Sequence, residues 1–383
     1  MATMIKRNVA DLDLSEAAEY HLGKFPPDNL DALRLINPLA KATEALARYD
    51  QALKGMHDSE VLLAPLLNQE AVVSSRMEGT VSTLDEVFRL EAEQEENNDE
   101  TPSSYRSVTM EVFLYTRAMR RAQKMIEDGG GISEWLIRGS HDVLLHLGRG
   151  SGMSPGEFKQ EPNYVVDRTR RKVLFVPIQP EFLQDGIDQL MGFIGDEDQQ
   201  ILIRTALAHV EFEALHPFKD GNGRIGRMLI TLMLWKYGVI SAPHFYISSY
   251  FEEHRDEYLD RMREVSRSNA WTDWVIFFLN ALEAQAQENL QKAEEIQALY
   301  DEMKEIFREL LASKWSTQAL DFVFTRPVFR NNIFTGKSGI PGQTAHRFTR
   351  VLAEEGLLRT VRPASGRRAA MYAFEPLLGL VRR

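Results

Sequence analysis

Apolar residues recur every three or four positions, in run after run from residue 28 to residue 285, and this spacing constrains the chain more than any other feature. "LDALRLINPLAKATEALARYDQAL" is the first such run. That spacing lays one apolar stripe along an α-helix, whereas a strand needs alternation at every second residue. "SEVLLAPLLNQEAVVSSRME" continues the pattern and stops at Gly79, a natural C-terminal stop signal. Helical patterning resumes in "YRSVTMEVFLYTRAMRRAQKMI" and "SEWLIRGSHDVLLHL". It returns again in "PEFLQDGIDQLMGFI", "ILIRTALAHVEFEAL", "GRMLITLMLWKYG", "YFEEHRDEYLDRMREVS" and "WTDWVIFFLNALEAQAQ". The expected class is therefore all-α, with a single interruption. Between residues 148 and 180 two β-prone runs, "NYVV" and "VLFV", flank the polar turn "DRTRRK", which predicts a hairpin at about 160–176. "EAEQEENNDETPSS", from Glu91 to Ser104, carries many like charges, a proline and no apolar stripe. It reads as a loop or linker.

At 383 residues the chain exceeds what one hydrophobic core usually serves, so two or three domains are expected. Its charge is segregated. Residues 314–383 hold 12 Lys and Arg against 4 Asp and Glu, while the rest holds 33 against 52. The C-terminal piece thus meets something anionic, docks on the acidic body, or presents no more than a solvated basic face. Within it "STQALDFVF", "PGQTAHRFTRVLAEEGLL" and "RTVRPASGRRAAMYAF" read as helix, helix and a β-ribbon turning at Ser365 and Gly366, the pattern of a winged-helix domain. If DNA is the partner, Arg347 and Arg350 lie on the recognition helix, with Arg367 and Arg368 on the wing. The absence of cysteine excludes disulfides, thiol nucleophiles and cysteine-ligated metal centres. The first residues lack the apolar core of a signal peptide. "MLITLMLW" is too short to span a bilayer. A cytoplasmic protein with no membrane partner is expected.

The chemistry concentrates in "HPFKDGNGRIGR", His216 to Arg227. One helix ends near Leu215 and another begins near Gly223, so the Asp-Gly-Asn-Gly turn lies just before a helix N-terminus. Glycines at 221 and 223 let successive backbone N–H groups face one concavity. With the helix dipole added, such a nest attracts phosphate. Arg224 and Arg227, three apart, can reach toward one anion. Asp220 is a hard oxygen ligand suited to Mg²⁺. His216, across the loop, is a side chain that can take a proton near neutral pH. Base, metal ligand, anion nest and paired arginines together describe a phosphate-handling site.

At these residues the chain resembles the Fic (filamentation induced by cAMP) family, whose signature HPFx(D/E)GNGRxxR is matched at every specified position. The resemblance implies an α-helical core that transfers AMP from ATP to a Ser, Thr or Tyr hydroxyl of a target protein, with Mg²⁺, releasing pyrophosphate. By position it implies that His216 deprotonates the hydroxyl and Asp220 holds the metal ion. Gly221, Asn222 and Gly223 form the anion hole, Arg224 binds the α- and β-phosphates, and Arg227 meets the γ-phosphate. Gly226 joins these nucleotide-binding positions, and Phe218 anchors the loop in the core. The hairpin falls where relatives carry a flap that clamps the target by strand addition, although "EPNYVVDRTRRKVLFVP" departs from their commoner Trp-Ile-Gly-Gly version. Tyr250 and Tyr258 lie in a stretch resembling the adenine side of the pocket, and each is equally readable as a core tyrosine.

"SSRMEG" also fits the family's autoinhibitory motif, (S/T)xxxE(G/N), through Ser74, Glu78 and Gly79. A Glu78 carboxylate paired with Arg227 occupies the guanidinium meant for the γ-phosphate. The resemblance spans roughly residues 30–285. It implies an N-terminal helical region over 1–104 with an inhibitory helix at about 59–79, a Fic core over 105–285, a connecting helix over 286–313 and a winged-helix domain over 314–383. Self-modification and homodimerisation are expected. Two other activities remain open: a DNA-binding regulator whose core senses nucleotide, and removal of AMP from a modified target in the inhibited state.

Overall fold

The computed structural model of the chain describes residues 2–5, 13–56, 58–97, 107–167 and 172–382. Two short strands, β1 (Ala2–Ile5) and β2 (Ala18–Glu19), precede five helices: α1 (Ala32–Gly55), α2 (Ser59–Met77), α3 (Leu84–Asn97), α4 (Ser107–Glu127) and α5 (Glu134–Leu145). A hairpin follows, β3 (Asn163–Asp167) and β4 (Lys172–Val176). Next come α6 (Pro180–Gly195), α7 (Ile201–Leu215), α8 (Asn222–Lys236), α9 (Ser248–Glu253), α10 (Arg255–Ser268) and the 41-residue α11 (Trp271–Leu311). The chain continues with α12 (Ser316–Thr325), β5 (Val328–Arg330), α13 (Asn331–Lys337), α14 (Gly342–Glu354), β6 (Leu358–Arg362), β7 (Met371–Phe374) and α15 (Glu375–Val381).

Local chemistry sets several boundaries. Asp31, Asp58 and Ser133 each accept a hydrogen bond from the N–H three residues on, which starts α1, α2 and α5. Gly79 takes φ +82° just past the end of α2, a conformation that costs glycine nothing. The core is built round α8, which is buried without a break from Asn222 to Leu234. α7 packs on it, α2, α4 and α5 close round it, and α11 runs unbroken through residue 285 along α1. The Trp274 indole N–H donates to the Ala206 carbonyl and ties α11 to α7.

The expectation of a lone hairpin is corrected. β3 and β4 are the middle of a four-stranded sheet in the order β1-β3-β4-β2, with β1 antiparallel to β3 and β2 parallel to β4. Strands of four and two residues show no readable alternation; their partners, not their own sequence, make them strands. The turn 168–171 lies outside the described residues.

The linker reading of Glu91–Ser104 is also corrected, since residues 91–97 are the second half of α3; residues 98–104 lie outside the described ones. Acids along α3 are paired by cations far along the chain. Glu93 pairs with Arg330 and Arg362, Glu95 with Arg326 and Lys337, and Asp85 with Arg382. Of the three fates left open for the basic C-terminal piece, docking on the acidic body is therefore observed. The ribbon expected there gains a third strand, since β5 pairs with β7 in an antiparallel sheet ordered β5-β7-β6.

Candidate active site

The loop between α7 and α8 is folded by its own side chains. His216 ends α7 in the left-handed region, at φ 46° and ψ 58°, which turns the chain sharply away from the helix axis. The Phe218 N–H donates to Asn222 Oδ1, and Asn222 Nδ2 returns a bond to the Phe218 carbonyl, both at 2.8 Å. This closed ring is buried, with Phe218 stacked on the His141 imidazole at 3.6 Å. The Asn222 amide thus holds the loop in shape. Gly221 caps α8 at φ 81°, so the turn presents backbone N–H groups at the N-terminus of a buried helix.

His216 lies 3.3 Å from the Glu213 carbonyl through Nδ1. An Nδ1–H donor there puts the ring's lone pair on Nε2. Burial, reinforced by the nearby Lys159 ammonium, pushes the imidazole down to about 4, so the ring is neutral at pH 7. Asp220 is nearly half exposed; its Oδ1 accepts from the Gly221 N–H, and Oδ2 lies 3.7 Å from Arg224 Nη2. Arg224 is almost wholly buried, and its Nε and Nη1 have no hydrogen-bond partner among the described residues.

Arg227 is engaged through Nε and Nη2. Its Nε donates to Ser74 Oγ at 2.9 Å, and Nη2 donates to the Ser74 carbonyl at 2.8 Å and to Glu78 Oε1 at 2.9 Å. Burial opposes ionisation of Glu78, but the surrounding positive charge, Arg227 foremost with Arg224 beside it, holds the carboxyl below its ordinary range. A side chain at Gly223 would place Cβ 2.2 Å from Glu78 Oε1, so only glycine admits the carboxylate here. Arg255 donates to the Met77 carbonyl, and Arg76 binds Glu252, pinning the same end of α2 to α9 and α10.

These groups open on a cavity of about 350 Å³ lined by Glu78, Glu213, His216, Lys219 to Gly223, Arg227, Arg255 and Tyr258, with Val165, Leu174 and Phe175 of the hairpin on one wall. Tyr258 reaches it but is 2% exposed, its hydroxyl 2.8 Å from His209 Nε2. Tyr250 does not line it and stacks on His254. Gly226 is also absent from the wall. A Cβ there would meet Glu213 Oε1 at 2.3 Å, so this glycine serves helix packing.

The N-terminal model of the Fic/DOC family matches residues 36–124, and the Fic/DOC model matches residues 131–234, which carry the loop just described. The chain belongs to the Fic/DOC family. A probable protein adenylyltransferase of Aquifex aeolicus is 25% identical over 210 residues, 54% of this chain and 58% of that protein. A protein adenylyltransferase of Caenorhabditis elegans is 33% identical over 67 residues, 17% of this chain and 13% of that one. A uridine 5'-monophosphate transferase of Xanthomonas campestris is 38% identical over 72 residues, again 17% and 13%. The chain thus spans less than two thirds of the length of these relatives. Among solved structures, a Fic family protein of Desulfovibrio desulfuricans superposes with TM-score 0.53 at 18% identity, covering 89% of this chain and 95% of its own, and supports the Fic fold.

Three residues of this Fic site escaped the sequence reading. Lys159 is buried, and its Nζ donates to Asn163 Oδ1 and the Leu215 carbonyl; burial pushes its pKa down to about 7. Asn163 in turn donates to the His216 and Phe218 carbonyls, so the start of β3 is fastened to the catalytic loop. His141 accepts from the Gly156 N–H and donates through Nε2 to the Asp220 carbonyl, a pairing only the neutral ring can make. No spacing signals them, because each contacts the loop across a gap of dozens of residues. At the C-terminal end, Arg347 donates to the Leu311 carbonyl and caps α11. Arg350 faces Glu354 at 3.9 Å, and Arg367 and Arg368 are exposed at the Ser365–Arg368 turn. Among the described residues no helix is long and apolar enough to cross a membrane.

Proposed function

We propose that the chain is a protein adenylyltransferase, moving AMP from ATP to a target hydroxyl and restrained by Glu78. The carrying observation is the Arg227–Glu78 pair at 2.9 Å, directly beside the Gly221–Gly223 turn. An anion-binding turn lies next to a guanidinium whose partner is a carboxylate from another helix, and that carboxylate competes with a terminal phosphate for it. The unpartnered Nε and Nη1 of buried Arg224 support the same reading, since a buried cation without acceptors is stabilised by an arriving anion.

The relatives named for adenylyl transfer support ATP as donor. Magnesium fits the donor set. Asp220 offers one nearly half-exposed carboxylate beside the turn. That suits an ion that keeps its waters and comes mostly bound to phosphates. It would neutralise phosphate charge there, held by Asp220. The chain's own residues do the rest. Neutral His216 accepts the hydroxyl proton at Nε2 as the oxygen attacks the α-phosphorus. The turn amides and Arg224 hold the phosphate oxygens, and the α–β anhydride bond breaks as pyrophosphate leaves.

The test is incorporation of label from α-labelled ATP into the full chain. Wild type is expected to incorporate little and Glu78→Gly much more, while Glu78→Gly with His216→Ala incorporates none. Labelled UTP run in parallel separates adenylyl from uridylyl transfer. A Glu78→Gly protein no more active than wild type overturns the restraint.

The exposure of Arg350, Arg367 and Arg368 favours a second reading, in which the C-terminal region is a winged-helix module whose outer face meets DNA while its inner face docks on α3. Binding of the full chain to duplex DNA, weakening as salt rises, tests it.

A further inference from the structure

The segment that leads into β3 does more to the catalytic loop than fasten it. Four successive carbonyls, from Leu215 to Phe218, are all taken by donors from two residues four positions apart. Lys159 Nζ donates to the Leu215 carbonyl at 3.0 Å, and the Lys159 N–H donates to the Pro217 carbonyl at 2.8 Å. Asn163 Nδ2 donates to the His216 carbonyl at 3.2 Å and to the Phe218 carbonyl at 3.0 Å. Asn163 Oδ1 accepts from Lys159 Nζ at 2.8 Å, so the amide can face the loop only with its two N–H donors. Lys159 and Asn163 are both 2% exposed.

This arrangement accounts for a backbone shape that α7 does not produce by itself. A helix ends with carbonyls that lack partners, and His216 leaves this one at φ 46°, a conformation uncommon for a residue with a side chain. With carbonyls 215–218 each held, the turn is over-determined, and the ring settles with Nδ1 on the Glu213 carbonyl. The same ammonium sets a buried positive charge near the imidazole. Among the described residues, Lys159 and Glu78 are the charged side chains that act on the ring, in opposite senses, while Glu213 of α7 holds its proton at neutral pH.

We propose that Lys159 and Asn163 are positioning residues for His216: Asn163 sets the direction of its ring, and Lys159 supplies a cation that keeps the ring free of a proton until the acceptor hydroxyl arrives. The inference rests on the transferase reading above, in which His216 takes that proton at Nε2. Burial first, and the Lys159 charge second, push the imidazole down to about 4, and at that pH the ammonium, itself pushed down only to about 7, is still charged. Neither Lys159 nor Asn163 lines the cavity, so both act on the chemical step rather than on nucleotide affinity.

The test starts from the full-length Glu78→Gly protein and compares Lys159→Met with Asn163→Ala, with ATP affinity measured first to show an intact nucleotide site. NMR of the imidazole signals, with His216 assigned by its loss in His216→Ala, follows the ring across pH. Its titration is expected to move up by about one pH unit in Lys159→Met and to stay in place in Asn163→Ala. Label incorporation at saturating ATP should fall at least about tenfold in both, with KM for ATP unchanged. The acid limb of the rate should move only in Lys159→Met, and Lys159→Arg, which keeps the cation, should restore it. An unmoved titration in Lys159→Met, or a loss confined to KM for ATP, overturns the proposal. If Lys159→Met does not fold, a shifted acid limb in Lys159→Arg or an undiminished kcat in Asn163→Ala overturns it instead. A Glu78→Gly parent that transfers nothing sinks the transferase reading, and the titration then decides the role of Lys159 by itself.

Discussion

Two faces of the N-terminal helical region are held by opposite charges, and they differ in the solvent around them. At the end of α2, Arg227 is 2% exposed and its carboxylate partner lies in the cavity wall. Along α3, Arg326, Lys337 and Arg362 bind Glu95 and Glu93 while remaining 36%, 50% and 47% exposed. A unit-charge pair at about 4 Å is worth about 1 kcal/mol in water and about 4 kcal/mol at the effective dielectric of a protein surface. These three exposed pairs act by number and are screened by salt, whereas Arg330, 3% exposed and paired with Glu93, is the buried member of the same patch. The α2 contact acts singly, because a buried guanidinium deprived of its partner stays uncompensated. One face is a dock, and the other has the energetics of a switch.

Deleting the guanidinium should break the comparison most sharply. Arg227→Ala strands Glu78 and Ser74 and is expected to lower unfolding free energy by ~3–5 kcal/mol in urea titrations and to abolish transfer. A loss below ~1 kcal/mol would place this pair with the exposed ones. Removing the carboxylate instead should release the site: Glu78→Gly is expected to raise label incorporation by roughly 10²-fold, the scale of a desolvated charge-assisted pair.

A second carboxyl sharpens the same contrast. Burial pushes Glu213, which also faces Arg227, up to about 8 from an ordinary 4.5. Below pH 4.5 both folded and unfolded chains hold its proton. As pH rises toward 8 only the unfolded chain releases it, so stability falls across that window. Glu213→Gln should flatten the fall by ~1–3 kcal/mol between those limits, read from urea unfolding across pH. An unchanged slope would show the carboxyl already ionised. Glu70, pushed up to about 7 by burial, contributes in the same direction and remains in the variant.

The exposed face should respond least. Glu95→Gln is expected to cost less than ~1 kcal/mol, and the cost should shrink in ~1 M salt. A large, salt-independent loss would mean that this contact, too, is effectively buried.

Much of this was legible from residue order, because the signals involved are local. Helical spacing marked the core helices, the glycine and arginine spacing of residues 216–227 pointed to an anion site, and Gly79 marked the end of α2, while the pairing of Glu78 with Arg227 came from the resemblance to the family's inhibitory motif. Misreadings fell where a partner far along the chain decides. Glu91–Ser104 reads as a loop or linker, yet its first seven residues are helix, paired by Arg326, Arg330, Lys337 and Arg362 from the C-terminal region. Tyr250 and Tyr258 look alike in sequence, yet only Tyr258 lines the cavity.

The order of residues by itself determined the helical class, the turn before α8 and the chemistry gathered there, since backbone propensity and spacing act over a few residues. Tertiary structure alone decided which groups are buried. It brought Glu78 to Arg227 across 149 positions, set Lys159, Asn163 and His141 behind the loop, and laid residues 2–5 along β3. Desolvation is what turns those encounters into function, and no single residue carries its own desolvation in its sequence neighbourhood.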